Sequence, residues 1–293
     1  MHKNVFQLEI DHAYGNILLH KKTLLHLISD HPTSVVLSLN KKTLGNKRWH
    51  TEYGHPDFGL SLSYQDFKNE YLGKNTSLYG HYSFYFLKRN FFFRIGQGIP
   101  YASNPYDSEK NFKNHAFGSK FMASVLIMIN YKKERLLGDL GFQVGFNTIH
   151  YSNGNTKAPN SSINVFSLNA GLNYSIGSEN HQKQIKQVYP RFKEPLRYTI
   201  VFRGGLNQSD VIRSRQYPFY VFSAYIDKRL GYKSAIQFGT EAFLTLYLKE
   251  HIRFSGIAYP GGDIKGDEDF RRLGIFVGHE LFIGKLSVLS QVG

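Results

Sequence analysis

Long stretches of this chain alternate apolar with polar residues, and no other feature of the sequence constrains the fold as strongly. The clearest stretches are residues 58–65, 78–86, 119–131, 196–207 and 235–248. Successive side chains of a β-strand point to opposite faces, so a period of two gives each strand one apolar and one polar face. The pattern predicts an all-β, antiparallel protein with about twelve strands.

Composition narrows the class of protein further. Aromatic residues make up 15% of the chain and glycine occurs 27 times, which favours strands and tight turns over helices. No window approaches the ~18 continuous apolar residues of a transmembrane helix, so a helical membrane protein is excluded. Cysteine is absent, and disulfides, thiolate zinc sites and cysteine nucleophiles are excluded with it.

The length of the strands distinguishes two kinds of closed barrel. In a soluble barrel the apolar face points inward, whereas in a membrane barrel it contacts lipid and the charges line the lumen. Strands of ~9–13 residues with aromatic residues near their ends favour the membrane barrel, because soluble strands average ~5–6 residues and bilayer-spanning strands need ~9–11. We therefore predict an outer-membrane-type β-barrel, in whose lumen Arg94, Arg197 and Arg203 pair with Glu241 or other acids.

The chain shows no internal repeat and no low-complexity linker, which favours one domain. We predict an N-terminal segment over residues 1–31, with a strand and a short helix or irregular entry at 16–30, and a barrel domain over 32–293. Loops are predicted at residues 100–117, 153–161, 178–194 and 249–270. The first residues lack a signal-peptide pattern and Gly293 interrupts a strand pattern. We expect either a removed signal peptide or an intracellular protein, and a missing C-terminal part.

The stretch GFQVGFNTIHYS at residues 141–152 carries the most chemistry. Alternation puts His150 and Ser152 on the face that is apolar lower down, where residues i and i+2 of a strand lie side by side. If the next loop forms a hairpin, paired residues have numbers that sum to about 314. His150 then lies opposite Asn164, and Ser152 lies opposite Ser162.

These residue types suit ester hydrolysis. A serine hydroxyl becomes a good nucleophile when a histidine takes its proton, and a third group on the other ring nitrogen fixes the tautomer. Backbone N–H groups of the turn formed by Asn153, Gly154 and Asn155 are placed to bind an oxyanion. On the outer wall of a barrel, such a group could reach an ester that never leaves the bilayer.

The sequence resembles a known family at these residues. HYSNG at 150–154, APN at 158–160 and the following SSINVFSLNAGLNY are similar to the H-x-S-N signature of PagL-like lipid A 3-O-deacylases, which belong to the acyloxyacyl-hydrolase group of outer-membrane barrels. IGQGIPY at 95–101 and PYDSEKNFKNHAFGS at 105–119 resemble the longer Bacteroidetes branch of this group. The resemblance implies removal of an ester-linked acyl chain from lipid A in the outer membrane of a Gram-negative bacterium, with no metal or cofactor.

Carried over by position, the resemblance implies a nucleophile at Ser152 and a general base at His150. It implies oxyanion and substrate contacts at Asn153, Gly154 and Asn160. The predicted partners are therefore lipid A, or the whole lipopolysaccharide, and the membrane itself.

The third member of the site departs from the family pattern. Where the family has an acid, this chain has Asn164, which can accept a hydrogen bond from the imidazole but cannot stabilise imidazolium by charge. Two alternatives therefore stay open beside the enzyme. One is an outer-membrane barrel that binds lipid or has a structural role without strong esterase activity. The other is a soluble, ligand-holding barrel inside the cell.

Other functional classes are less consistent with the sequence. The net charge of +14 is spread over loops and strand ends without a nucleic-acid motif, so we expect no nucleic-acid partner, although basic loops would attract the phosphates of lipopolysaccharide. His20 and His26, beside Lys21 and Lys22, are interpreted as a solvated basic turn because no third metal ligand has a suitable spacing. HEL at 279–281 lacks the second histidine of a zinc-protease helix.

Overall fold

Two compact antiparallel units make up the chain, Met1–Gln187 and Val188–Gly293. The computed structural model describes residues 5–177, 188–209 and 212–293. Thirteen strands lie in these residues, so the all-β antiparallel prediction is confirmed and the predicted number of strands is close. The predicted loop at 178–194 falls partly on residues outside the described ones.

The first unit is a closed barrel of eight strands. In chain order its strands are β1 (Phe6–Ile17), β2 (Thr33–Lys41), β3 (Asp57–Asp66), β4 (Lys74–Phe86), β5 (Phe91–Ala102), β6 (Ala123–Leu137), β7 (Leu140–Ser152) and β8 (Ile163–Ile176). Strand β1 pairs with both β2 and β8 and so closes the barrel. The predicted division at residue 31 therefore does not coincide with a boundary in the structure, because β1 is an integral strand.

The two faces of the barrel wall differ as the alternation predicts. Outward side chains, such as Leu8 and Ile10 of β1, are mostly apolar and exposed, whereas inward side chains are mostly polar and buried. Inside the barrel, Glu9 accepts hydrogen bonds from Arg94 at 2.7 Å and Lys132 at 2.6 Å, and all three side chains are fully buried. The predicted lumenal role of Arg94 is confirmed, with Glu9 as its acid.

A hydrophobic core fills the barrel interior at the end where β7 stops. It includes Phe67, Phe117 and Tyr151, and the ring of Phe67 lies 5.5 Å and 5.6 Å from the other two. A 3-10 helix over Lys22–Leu27 contributes two fully buried leucines to this core. The short helix expected at 16–30 is therefore present, and loops seal this end of the barrel.

The opposite end of the barrel carries a belt of aromatic side chains. A short helix, α1 (Arg48–Glu52), lies between β2 and β3 and places Trp49 6.0 Å from the ring of Tyr82. Farther round the wall, Phe91 lies 5.3 Å from Tyr131. Aromatic residues at the ends of the strands are typical of the interface between a membrane and water.

The second unit is a five-stranded sheet in the order β13-β12-β11-β10-β9. Its strands are β9 (Arg197–Asn207), β10 (Tyr217–Arg229), β11 (Ser234–Thr245), β12 (Arg271–Ile283) and β13 (Leu286–Val292). On its polar face Arg203 pairs with Glu241 at 2.5 Å, as predicted, and Arg197 pairs with Asp227 at 2.7 Å.

Three predicted boundaries are wrong. Residues 246–258 form a helix, α2 (Leu246–Ala258), where a strand was predicted to continue to 248 and a loop to cover 249–270. Contacts between residues three or four apart accompany the helix, since Glu250 bonds Arg253 at 2.9 Å and Tyr247 packs on His251. The loop predicted from residue 100 begins only after Ala102. None of the described helices has the length and hydropathy of a membrane span.

Candidate active site

His150 and Ser152 lie together on the outer wall of the barrel, at the end of β7. Along this strand Tyr151 is buried in the interior, while Phe146 and His150 point outward with Ser152. The prediction that the imidazole and the hydroxyl share the apolar face is therefore confirmed. Residues two apart on a strand are separated by about 6.6 Å along the backbone, which is within reach of two side chains.

The hairpin of β7 and β8 has the predicted register, with His150 opposite Asn164. The imidazole Nδ1 lies 2.7 Å from the Asn164 Oδ1. An amide oxygen can only accept a hydrogen bond, so Nδ1 carries the proton and Nε2 presents its lone pair. Asn164 thus fixes the tautomer in which His150 can act as a base.

The hydroxyl of Ser152 is held by the loop that follows it. Asn160 Nδ2 and the Gly154 backbone N–H both donate to Ser152 Oγ at 3.1 Å. The ladder between β7 and β8 ends at Tyr151 opposite Ile163, so the predicted pairing of Ser152 with Ser162 is wrong. The chain leaves the strand there because Ser162 has a positive φ of 60°.

The same loop gathers the groups predicted for the oxyanion site. The Asn153 N–H donates to Asn160 Oδ1 at 3.1 Å, and that oxygen lies 3.5 Å from Ser152 Oγ. Asn160 Nδ2 also donates to Asn155 Oδ1 at 2.9 Å. The side chain of Asn153 turns away and donates to the Lys157 carbonyl at 2.6 Å. The Gly154 N–H and the Asn160 amide therefore contact the hydroxyl directly, and the Asn153 N–H connects to it through Asn160 Oδ1.

A neighbouring loop, residues 103–122 between β5 and β6, packs against this site loop. The Ser161 N–H donates to the His115 carbonyl at 3.0 Å. A Cβ at Gly118 would lie 2.5 Å from the carbonyl oxygen of Pro159 and 2.6 Å from that of Lys157, so only glycine allows this close approach. The sequence marked this region as a motif, but its pattern did not reveal the contact.

Internal hydrogen bonds fix the shape of the 103–122 loop. The buried Asn114 donates from its side chain to the carbonyls of Tyr71 and Asn104, and its Oδ1 accepts from two backbone N–H groups. Backbone N–H groups of Lys110 and Glu109 bond Asp107 and hold the pKa of that carboxyl below its usual range. The loop is thus a preformed support rather than a solvated connection.

The two histidines interpreted as a basic turn also contact this end of the barrel. His20 Nε2 lies 2.9 Å from the Ser161 carbonyl oxygen, and His26 Nε2 lies 2.7 Å from the Lys113 carbonyl oxygen. The sequence reading missed these contacts, since nothing in the local pattern connects residue 20 with residue 161. His20 is therefore a further contact of the site loop.

Comparisons with known proteins agree with the division of the chain. A family model described as "Lipid A 3-O-deacylase (PagL)" matches residues 33–173, which include the site. A second model, "Acyloxyacyl hydrolase, C-terminal domain", matches residues 196–293. The two matches together span most of the chain.

Two solved structures are similar to this chain. Neisserial surface protein A (NspA) is 14% identical, with a TM-score of 0.36 over 59% of this chain and 100% of that chain. BamA from Haemophilus ducreyi lacking POTRA domains 1–3 is 12% identical, with a TM-score of 0.26 over 99% of this chain and 67% of that chain. No curated protein matches the chain.

Proposed function

Because the chain belongs to the PagL family of lipid A 3-O-deacylases, we propose that it hydrolyses a fatty-acyl ester of lipid A with Ser152 as nucleophile and His150 as base. The observation that carries this proposal is the 2.7 Å hydrogen bond between His150 and Asn164 on the outer wall, beside Ser152. It gives the imidazole the tautomer that can accept a serine proton. The family contributes the substrate class, and the geometry supports the roles.

An outer-membrane setting is part of the proposal. On β5 the outward residues Phe91 and Tyr101 lie near the two ends of the strand. Their separation corresponds to ~33 Å along the strand, or roughly 25 Å across the bilayer at a tilt near 40°, which is about the height of the apolar band of a membrane barrel. The belts of aromatic side chains therefore support a barrel that spans the membrane.

The depth of Ser152 suits an acyl ester. Tyr101 bridges to Phe121 at the upper aromatic level, and Ser152 pairs with Ala123, two residues further toward the membrane centre. Two residues correspond to roughly 5 Å of depth in a tilted strand. Ester groups of membrane lipids lie at this boundary between headgroups and hydrocarbon, so the substrate can approach the wall laterally.

The reaction follows from the groups at the site. Ser152 Oγ attacks the ester carbonyl carbon while its proton passes to His150 Nε2, and the carbonyl oxygen becomes an oxyanion. When the bond to the sugar oxygen breaks, His150 returns the proton to that oxygen, leaving an acyl-serine. Water, deprotonated by His150, then attacks the acyl-serine, and His150 returns the proton to Ser152 Oγ as the fatty acid is released.

The donors around Ser152 fit the charge that develops. Before substrate arrives, the Gly154 N–H and Asn160 Nδ2 donate to the Ser152 hydroxyl, and the Asn153 N–H donates to Asn160 Oδ1. Once the Ser152 hydroxyl turns away from them, the Gly154 N–H and the Asn160 amide become free donors that can stabilise an oxyanion. In this scheme the Ser152 side chain rotates from Asn160 toward His150 as substrate binds, and hydrogen bonds at such sites commonly tighten only in the complex.

A second function is favoured by one observation. Asn164 supplies no negative charge to His150, so a barrel that binds lipid A with little or no turnover has the same fold and the same wall. The two candidates differ in chemistry alone and are separated by a measurement of released fatty acid.

The test compares Ser152→Ala and His150→Ala with the unchanged protein. Lipid A from cells expressing each full chain is analysed by mass spectrometry, with Ser162→Ala as the control because it removes a hydroxyl from the same loop. We expect loss of one acyl chain with the unchanged protein and the control, and intact lipid A with the two site variants. Equal lipid A profiles in all four strains would refute the enzyme and leave the lipid-binding barrel.

A further inference from the structure

Gln97 interrupts an otherwise apolar lipid-facing row on β5. The outward residues of this strand are Phe91, Phe93, Ile95, Gln97, Ile99 and Tyr101. Gln97 is exposed, and no hydrogen bond among the described residues involves its amide. It lies in IGQGIPY, a motif that the proposed reaction does not explain.

The register places Gln97 in one row with the candidate base. Gln97 pairs with Val125 of β6, and Val125 pairs with His150 of β7. Two strand spacings separate the outer positions of Gln97 and His150, which corresponds to roughly 10 Å along the wall. Between them lies a small aliphatic side chain, so the surface from one to the other is open.

A notch borders Gln97 on its other side. Its partner on β4 is Gly80, and no described heavy atom lies within 4 Å of the position that a Cβ would take there. The outer wall is therefore recessed at this level, between Leu78 and Tyr82 of the same strand. An extended lipid chain can lie in such a recess with its polar group against the Gln97 amide.

The Gln97 amide needs a hydrogen-bond partner where it faces the lipid. Hydrocarbon supplies no hydrogen bonds, so a carboxamide facing it without a partner is strongly unfavourable. The barrel provides none within the described residues, and a group arriving from the lipid side can provide one. A ligand with an apolar chain and a hydrogen-bonding group near its upper end can fill the recess with the chain and bond the Gln97 amide with the polar group.

We propose that Gln97 is a specificity-determining residue that hydrogen-bonds a hydroxyl or carbonyl group on a second acyl chain of the same lipid A molecule, while Ser152 attacks the first chain. This inference rests on the proposed function and deepens it. It makes the enzyme selective for a glycolipid with several acyl chains over an ester with one chain. The notch at Gly80 receives the second chain.

The test uses the full chain in detergent micelles with two substrates, lipid A and a single-chain fatty-acid ester of p-nitrophenol. Gln97→Leu is expected to lower kcat/KM for lipid A about tenfold, the range for loss of one hydrogen bond to a substrate group. Its kcat/KM for the single-chain ester should stay within about twofold of the unchanged protein's. Ile99→Leu, on the same face of the same strand, is the control and should change neither value.

A second variant tests the recess without touching the amide. Gly80→Leu fills the notch three strands from His150 and should produce the same selective loss. Equal kcat/KM values for lipid A in the unchanged protein and both variants would overturn the role of Gln97, as would equal losses on both substrates.

Binding separates this inference from the proposed chemistry. In a Ser152→Ala background, Gln97→Leu should weaken retention of lipid A by the micellar protein about tenfold. This result would uphold Gln97 even if the unchanged protein hydrolysed neither substrate, an outcome that refutes only the enzyme. Unchanged retention would refute Gln97 even if deacylation were present.

Discussion

The contact between Asn164 and His150 can be strengthened or removed by single substitutions of matched shape. Asn164→Asp keeps the size of the side chain and replaces the amide with a carboxylate at the oxygen that lies 2.7 Å from Nδ1. Asn164→Leu keeps the volume and removes the acceptor. The two variants therefore test the same contact in opposite directions.

The magnitude follows from the kind of hydrogen bond. A neutral bond contributes about 0.5–1.5 kcal/mol and a bond to a charged group about 1.5–3 kcal/mol, so the carboxylate adds roughly 1.4 kcal/mol when imidazolium forms in the transition state. This corresponds to about a tenfold rise in kcat for Asn164→Asp. Loss of the acceptor leaves the tautomer unfixed, and we expect Asn164→Leu to lower kcat at least tenfold.

The assay is the initial rate of fatty-acid release from lipid A in detergent micelles at neutral pH. Circular dichroism of each variant checks that the barrel has folded, so that a lower rate of release can be attributed to the catalytic step and not to misfolding. A rate for Asn164→Leu equal to that of the unchanged protein would refute the reasoning, because the bond would then have no part in catalysis. A fall in rate for Asn164→Asp would show that charge at this position opposes the reaction.

Two further predictions concern packing and charge. Gly118→Ala places a Cβ 2.5 Å from the Pro159 carbonyl oxygen, so the site loop must shift and the rate of deacylation should fall about a hundredfold. The control is Gly231→Ala, where the Cβ meets open space. Equal rates for the two variants would contradict the supporting role of the 103–122 loop. Arg94→Met breaks a fully buried ion pair and three bonds to neutral side chains, and should lower the free energy of unfolding in urea by about 3–5 kcal/mol. Arg253→Met, where the side chain is 70% exposed and its partner Glu250 is 36% exposed, should cost at most about 1 kcal/mol, and similar losses in both would show that burial does not decide the contribution.

Much of the site could be predicted from the sequence because a strand has a simple geometry. Alternation alone assigned His150 and Ser152 to one face, and the hairpin register paired His150 with Asn164. Both results depend only on the period of two and on antiparallel pairing. The pairing of Arg203 with Glu241 followed from the same alternation, since both side chains lie on the polar face of the five-stranded sheet, on β9 and β11 to either side of β10.

Other features could not be predicted, because they depend on contacts that a local pattern does not encode. Closure of eight strands with a separate five-stranded sheet is set by shear and tilt, which leave no mark in the alternation. The pairing of Ser152 with Ser162 was wrong because a loop residue with positive φ ended the ladder early. Likewise, Gly118 and His20 contact the site loop only because distant segments fold over the same end of the barrel.

The filled interior of the first unit has a consequence for the cell envelope. Among the described residues, the fully buried ion pairs of Glu9 with Arg94 and Lys132, together with the packed rings of the hydrophobic core, fill the interior of this barrel. Under the proposed function, the protein would act on surface lipid without opening a pore through its first unit. A proposed site on the outer wall and a filled interior are compatible, because the substrate would never need to enter the barrel.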